Sequence, residues 1–484
     1  MALSRNILIP LIVACALFME QIDSTVIATS LPVLAIDMGV DPLALKLALT
    51  SYMVSLAVFI PISGWVADRY GAQTVFRSAI AVFMLGSILC GVSQNLPQFV
   101  AARFFQGIGG AMMVPVGRLV ILRSVEKVNL VQALAYLSMP AMLGPVIGPP
   151  LGGFITTYFH WRWIFFINIP ISILGIYLAT RFIENMYGDK PHPLDWTGFA
   201  LSAVGCSLLM LGLATEGRHL ISTEVSLSCM GVGALALIAY VWHFRRTPYP
   251  LIDLRLLRIS TLRISVIGGS LFRIGVGALP FLLPLMMQLG FGLSAFHSGL
   301  LTCASAVGVI FIKTVMVRLL KRFGFRRVLI YNTLFGAASL AVIGLFTNTT
   351  PYAVMMITLL IGGCFRSIQF TSVNALAYAD VQSKDLSQAT SIASVAQQLS
   401  IGLGVTIGGI ALQTSMDWQG HATLVAADFW PAFLAVALVS ASSVLFNLRL
   451  APDAGAELAS RPSRKVVSTA KAAVAAPAAS AEKS

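Results

Sequence analysis

Glu20 and Asp23 stand three residues apart inside the first long apolar run of a chain that otherwise keeps acids out of such runs. On a helix that spacing places both carboxylates on one face, about one turn from each other. Ionised carboxylates are costly in hydrocarbon and persist where they face a cavity, meet a partner or carry protons. Burial favours the neutral acid and a neighbouring carboxylate adds to that preference, so one acid of the pair could bind and release a proton near neutral pH. Structural hydrogen bonding is the competing reading for both.

The basic and amide residues inside apolar runs are the second group with chemistry. Arg103 cannot in practice deprotonate, so at membrane depth it needs an anionic or polar partner. Arg118, Lys313 and Arg366 lie within or near the ends of apolar runs, where long basic side chains are expected to snorkel to the interface. Arg273 lies deeper and is the better cavity candidate, and Gln369, Asn374, Gln397 and Gln398 add polar groups to the later runs. Two such cations facing one cavity would suit an anionic substrate.

The elements that must position these residues are membrane helices. Of 484 residues, 57% are hydrophobic and only 11% charged, too little charge to cover a soluble protein of this length. About fourteen apolar runs between Ile7 and Phe446 are long enough to cross a bilayer. The net charge of +13 is a topology signal rather than a nucleic-acid footprint. With the N-terminus inside, the inner connections collect Arg69, Arg77, Arg123, Lys127, Arg181, Lys190, Arg245, Arg246, Arg255, Arg258, Arg318, Lys321, Arg322, Arg326, Arg327 and Lys384, whereas the outer ones hold only Lys46, Arg162 and Arg218. That asymmetry predicts both termini in the cytoplasm. The six cysteines all fall within apolar runs and show no metal-ligand spacing, so they read as small packing residues. The first run continues through Asp23 to Leu31 without a small-residue cleavage site, so it reads as an uncleaved helix.

Longer connections at 183 to 196 and 245 to 262 divide the chain into six spans, an extra pair and six more. The expected units are 1–185, a six-helix bundle; 186–260, the extra pair with its linkers; 261–450, a second six-helix bundle; and 451–484, a disordered cytoplasmic tail rich in Ala, Ser, Pro and Lys. A faint internal repeat agrees: Asp68, Arg69, Tyr70, Gly71 after the second run has a counterpart in Lys321, Arg322, Phe323, Gly324. Such repeats are expected of transporters whose two bundles rock about a central site.

Four signatures resemble the major facilitator superfamily over nearly all of residues 1 to 450. Ile22 to Val26, with Leu31 and Pro32, is similar to the first-helix pattern of the fourteen-span drug:proton antiporters, the EmrB/QacA type. Gly64 to Phe76 resembles the superfamily loop after the second helix, and Ala72 and Gln73 replace its usual basic pair. Arg103 to Gly110 resembles the fourth-helix signature. Gly144, Pro145, Gly148, Pro149, Pro150, Leu151, Gly152 and Gly153 are similar to the antiporter motif of the fifth helix, shortened by the missing glycine around Ala135 to Leu137. The stretch Gly109 to Arg118 is similar to the MdtD-like branch.

The resemblance implies an all-α integral membrane protein with the major facilitator fold, two six-helix bundles plus two extra transmembrane helices. It implies proton coupling by Asp23 and Arg103, the first and fourth helices lining one cavity; Glu20, less usual at its place in the family, is a second proton-coupling candidate or a polar cavity residue. It further implies a conformational latch at Gly64, Asp68, Arg69 and Gly71, with Asp68 pairing across the bundle interface, and an exporter's fifth helix. Arg118, Arg273, Arg366, Gln369 and Asn374 are the candidate substrate-cavity residues.

The expected function is proton-coupled antiport of small organic molecules or drugs out of the bacterial inner membrane by alternating access. Export of organic anions such as carboxylates or siderophore-like metabolites is the alternative. A membrane enzyme or sensor is disfavoured because the sequence holds no nucleotide loop, metal-ligand cluster or nucleophile motif. The expected partners are a small-molecule substrate, protons and the lipid bilayer, with no nucleic acid and no cofactor; whether a periplasmic adaptor joins them stays open.

Overall fold

The computed structural model describes residues 5–40, 46–188, 193–216, 222–293, 295–421 and 424–459. In chain order its helices are α1 (Arg5–Met38), α2 (Lys46–Phe59), α3 (Ser63–Tyr70), α4 (Ala72–Val92), α5 (Leu96–Ser124), α6 (Leu130–Tyr158), α7 (Trp163–Phe166), α8 (Asn168–Phe182), α9 (Trp196–Glu216), α10 (Thr223–Arg246), α11 (Ser260–Leu285), α12 (Ala295–Phe323), α13 (Phe325–Gly344), α14 (Tyr352–Ala377), α15 (Leu386–Gln419) and α16 (Ala426–Asn447). Among the described residues there is no strand. In lipid each backbone polar group must be satisfied within its own segment, which the helix does.

Twelve of these helices are long and apolar enough to cross a membrane, thirteen if the bent pair α2 and α3 counts as one span. That is short of the fourteen runs expected from the sequence. The test covers described residues only; α6, 29 residues long, occupies the run expected at 130 to 157 and includes side chains outside that set. The pair α2 and α3 bends by 59°. Pro61 lies at the break, where a missing N–H and a ring clash end the helix. Pro280 and Pro284 sit inside α11, which continues as one wide π turn over Met286–Gly290.

The internal repeat has a conformational basis. Gly71 and Gly324 both take positive φ, 87° and 78°, at the junctions of α3 with α4 and of α12 with α13. A residue with a Cβ is strained there.

The start of α1 (Ile9, Ile12), the start of α4 (Ala72), the end of α5 (Ile121) and the start of α6 (Leu130) share one apolar cluster, which defines an N-terminal face of the bundle and an opposite face. Buried apolar residues from both halves, including Leu17, Phe76 and Leu119 with Leu320, Leu329 and Leu376, form one continuous core toward the N-terminal face. Toward the opposite face the core splits. Ile22, Phe99, Trp161 and Phe165 cluster in the first half, and Leu282, Ile343, Phe429 and Phe433 cluster separately in the second. Among the described residues the halves are therefore packed together at the N-terminal face and separate in their cores at the other.

Helices α9 and α10 pack against each other, and α9 also lies against α2 and α15. Helix α10 turns Leu227, Leu235, Ile238 and Trp242 outward, an apolar surface suited to lipid. The linker after it is not loose: Leu251 and Ile252 are buried with Tyr240, Phe244 and Ile392, and the Asp253 N–H donates to Gln388 Oε1. Trp163 is exposed, whereas Trp161 is buried edge-on against Phe99 and Phe165 and donates to Asp37 Oδ2 at 2.8 Å. The tail expected to be disordered from 451 packs as far as 459, with Leu458 buried beside the N-terminal face. Residues 460–484 of that tail, with Lys190 and Arg218, lie outside the described residues.

Candidate functional site

Asp23 is held from three sides within the first half. Arg103 Nη1 of α5 donates to Oδ2 at 2.7 Å, while Gln106 Nε2 of α5 and Asn168 Nδ2 of α8 each donate to Oδ1 at 3.0 Å. Gln106 and Asn168 also both donate to Ser87 Oγ of α4. All four helices belong to the first half, so the pair faces the interior of that half and not a cavity between the halves. Asp23 and Arg103 are each 1% exposed. Three donors, one of them cationic, give this carboxylate a nearly complete set of partners.

Glu20 is treated differently. Oε1 accepts from Tyr52 Oη at 3.3 Å, and Oε2, also buried, has no hydrogen-bond partner among the described residues. The Tyr52 ring in turn lies under the Arg103 guanidinium, 4.5 Å from its centre. The two carboxylates expected to act as a pair therefore have unlike surroundings, one fixed and one with an open acceptor.

Sequence reasoning missed Tyr52, Ser87 and Asn168, and gave no role to Gln106. Only Gln106 carried a usable signal, since it lies three residues from Arg103 and shares its helix face.

The antiporter motif forms the seam of α6 against α1. A Cβ at Gly144 would lie 2.5 Å from the Gln21 side chain, and one at Gly148 would collide with Thr25 Oγ1. Gln21 and Thr25 are four apart, as are the glycines, so the two helices mesh turn for turn. Gly152 is buried on the same helix and its carbonyl accepts from Thr156 Oγ1. The surroundings of Pro145, Pro149 and Gly153 lie outside the described residues.

The latch residues join the two halves at the N-terminal face. The Gly64 N–H donates to Ser391 Oγ of α15 at 3.2 Å, and Asp68 Oδ2 accepts from Ser387 Oγ. Asp68 Oδ1 pairs with Arg123 Nη2 at 2.6 Å. Arg69 does not take part: it is exposed and lies over the Trp65 ring. Arg123, counted from the sequence only among the inner-loop charges, is the cation that pairs with Asp68. Gly71 needs its positive φ, and any Cβ there would run into Asn185. Gln73, where a basic residue was expected, donates to the carbonyls of Ala179, Thr180 and Ile183 at the end of α8. The Ala179 carbonyl also accepts from the Ile183 N–H, while Thr180 and Ile183 lie at the helix end, where carbonyls lack helical partners.

The buried cations are not snorkelling. Lys313 is 8% exposed and Nζ donates to Ser138 Oγ of α6 at 2.7 Å and to Thr371 Oγ1 of α14 at 2.5 Å. Arg118 donates to Tyr378 Oη and Gln397 Oε1, both at 3.3 Å, and Arg273 donates to Asn374 Oδ1 at 2.8 Å. Arg366 donates to Ser305 Oγ at 2.5 Å, with its Nη1 unpaired. Gln369 departs from the cavity expectation: it bonds Asn332 and Thr333 of α13 inside the second half.

Comparison with known proteins fits this architecture. A family model described as the Major Facilitator Superfamily matches residues 13–256 and 265–480. The chain belongs to that superfamily. It is accordingly a multi-pass membrane transporter and not an enzyme. Within the superfamily it is MdtD-like. It is 37% identical over 449 residues to "Putative multidrug resistance protein MdtD" of Klebsiella pneumoniae (strain 342), covering 92% of this chain and 94% of the relative. The protein of the same name from Serratia proteamaculans (strain 568) is 38% identical over 453 residues, covering 91% and 93%. Among solved structures, the human organic anion transporter MFSD10 (TETRAN) superposes with a TM-score of 0.64 at 14% identity, covering 92% of this chain and 100% of that one. The proton:xylose symporter XylE bound to 6-bromo-6-deoxy-D-glucose gives 0.62 at 14%, covering 91% and 95%. At that identity the likeness concerns the fold alone.

Proposed function

We propose that this major facilitator is a proton-driven exporter of small organic molecules, drugs among them, which works by alternating access across a bacterial inner membrane. The observation that carries the reading is Glu20, a buried carboxylate with one oxygen unpaired, one turn from an Asp23 that Arg103 holds fixed. Oε2 of Glu20 can take a proton without breaking a hydrogen bond, whereas protonating either oxygen of Asp23 would displace a donor. Asp23 and Arg103 then act as the fixed charges that sense whether Glu20 carries its proton. The multidrug-resistance names of the MdtD relatives support export, as does the glycine seam of α6.

Helices α9 and α10 are read as the extra pair between bundles 1–185 and 261–450, which makes fourteen spans. The excess of basic residues in the inner connections supports a cytoplasmic N-terminal face and cytoplasmic termini. With the cores joined at that face and divided at the other, this conformation is the one closed to the cytoplasm. Glu20 would load its proton here, from the periplasmic side. The latch at Gly64 and Asp68 must part before a substrate enters from the cytoplasm.

The test is flux in proteoliposomes with an imposed pH gradient, followed with a panel of fluorescent dyes of both charges, ethidium for cations and fluorescein for anions. The wild-type protein should drive dye against its gradient, and Glu20→Gln should lose that by at least tenfold while keeping dye exchange at zero gradient. Full gradient-driven flux by Glu20→Gln would defeat the assignment.

A further inference from the structure

Three cationic side chains from three different helices converge on one stripe of α14. Lys313 of α12 reaches Thr371, Arg273 of α11 reaches Asn374, and Arg118 of α5 reaches Tyr378. Positions 371 and 374 of α14 and 378, the residue that caps its end, are spaced three and four apart, so they follow a single face over about 10 Å. Every hydrogen-bond partner of the three cations is neutral: hydroxyls of Ser138, Thr371 and Tyr378 and amides of Asn374 and Gln397. Among the described residues none of them has a carboxylate within the 4.0 Å that defines an ion pair. Arg118 Nε is buried and unpaired as well.

A buried cation is retained when an anion or full hydrogen bonding offsets the loss of water. Here the offset is partial and repeated three times on one helix face. The first half shows the contrast at its other deep cation, Arg103, which has its carboxylate at 2.7 Å. The stripe also lies where the halves meet: Arg118 and Ser138 come from the first, Lys313, Arg273 and α14 from the second.

We propose that this face of α14 is a binding site for an organic anion with two or more negative charges, held by Lys313, Arg273 and Arg118. The inference rests on the transporter reading and narrows its substrate class. A multivalent anion satisfies cations contributed by both halves at once, so it binds best where the halves meet and competes with Ser138 for Lys313. A singly charged anion leaves part of the stripe uncompensated, and a lipophilic cation is repelled.

The site is tested by binding, which needs no transport. Thermal unfolding of the purified full chain in detergent is followed with succinate, 1,3-benzenedisulfonate, benzoate and tetraphenylphosphonium. The two dianions should raise the melting temperature saturably, benzoate at least tenfold less potently, and tetraphenylphosphonium without competing. Lys313→Gln and Arg273→Gln should each weaken the dianions at least tenfold, while Lys313→Arg, which keeps the charge, retains them within about threefold. The absence of a saturable dianion shift in the wild-type protein, or equal shifts in Arg273→Gln and the wild type, would overturn the proposal. Dianion binding without dianion flux in proteoliposomes supports the site and counts against the export reading alone.

Discussion

Gly64 of α3 and Ser387 of α15 meet across the two halves so closely that a Cβ on Gly64 would lie 2.7 Å from the Ser387 carbonyl oxygen. Neither backbone can yield without parting the halves. Gly64→Val is therefore expected to disfavour the conformation closed at the N-terminal face. Spin labels at Glu126 and Lys384 should report a new, longer distance in the variant; a distribution matching the wild type would refute the steric account.

Asp68 joins the same contact chemically, with Arg123 on one oxygen and Ser387 on the other. Asp68→Asn removes the charge that strengthens both bonds, and hydrogen bonds to charged groups are worth about 1.5–3 kcal/mol. The variant should unfold at lower temperature by that order. Arg69→Ala should change stability by less than about 0.5 kcal/mol, as exposed substitutions usually do. Equal losses at the two positions would mean that Asp68 is not the residue that latches.

Removing one member of the Asp23 and Arg103 pair strands the other's charge in the protein interior. Arg103→Gln is expected to cost about 3–5 kcal/mol. In the double variant Asp23→Asn/Arg103→Gln the loss should be smaller than the sum of the two singles. A thermodynamic cycle on detergent-solubilised protein measures this coupling, and strict additivity would show that the ion pair contributes nothing specific.

The seam of α1 and α6 gives a comparison between glycines. Gly148→Ala would press a methyl group into Thr25 Oγ1, whereas a Cβ at Gly231 in α10 meets nothing within 4 Å. Gly231→Ala should stabilise by roughly 0.5–1 kcal/mol through helix propensity. Gly148→Ala should destabilise despite the same propensity gain. Melting temperatures that move together would remove the packing role of the motif.

Asp37, beyond the first membrane span, offers a pH test. The Trp161 indole donating to it, with Arg162 beside it, holds its carboxyl below the ordinary carboxylate value. A lowered folded value means that the stabilisation is complete above the ordinary value near 4 and fades as pH falls through the folded value. Asp37→Asn should therefore lower the melting temperature at pH 7, with the difference from wild type shrinking as the pH drops below about 4. A difference independent of pH would remove the ionised carboxylate from the explanation.

Much of the site was legible in types and spacing. Glu20 and Asp23 stood out because acids are rare in apolar runs, and Gly71 with Gly324 marked equivalent turns because both precede a new helix. What spacing could not give was partners across helices. The Asn168 amide looks like many others in the chain until the fold brings it to Asp23, 145 positions earlier. Lys313 misled for a related reason: three residues from the span end expected at 316, it looks able to reach the interface, but α12 runs on to Phe323 and α6 offers Ser138 instead.

Composition and pattern alone determined that this chain lives in a membrane, that its backbone is helical and that a few charges are too costly to be accidental, because lipid penalises each unpaired polar group independently of its neighbours. Tertiary structure alone decided that Asp23 is locked while Glu20 keeps an open oxygen, and that three cations share one face of α14. Those outcomes depend on which helix lies against which, and a helix's own period says what shares its face, never what it faces.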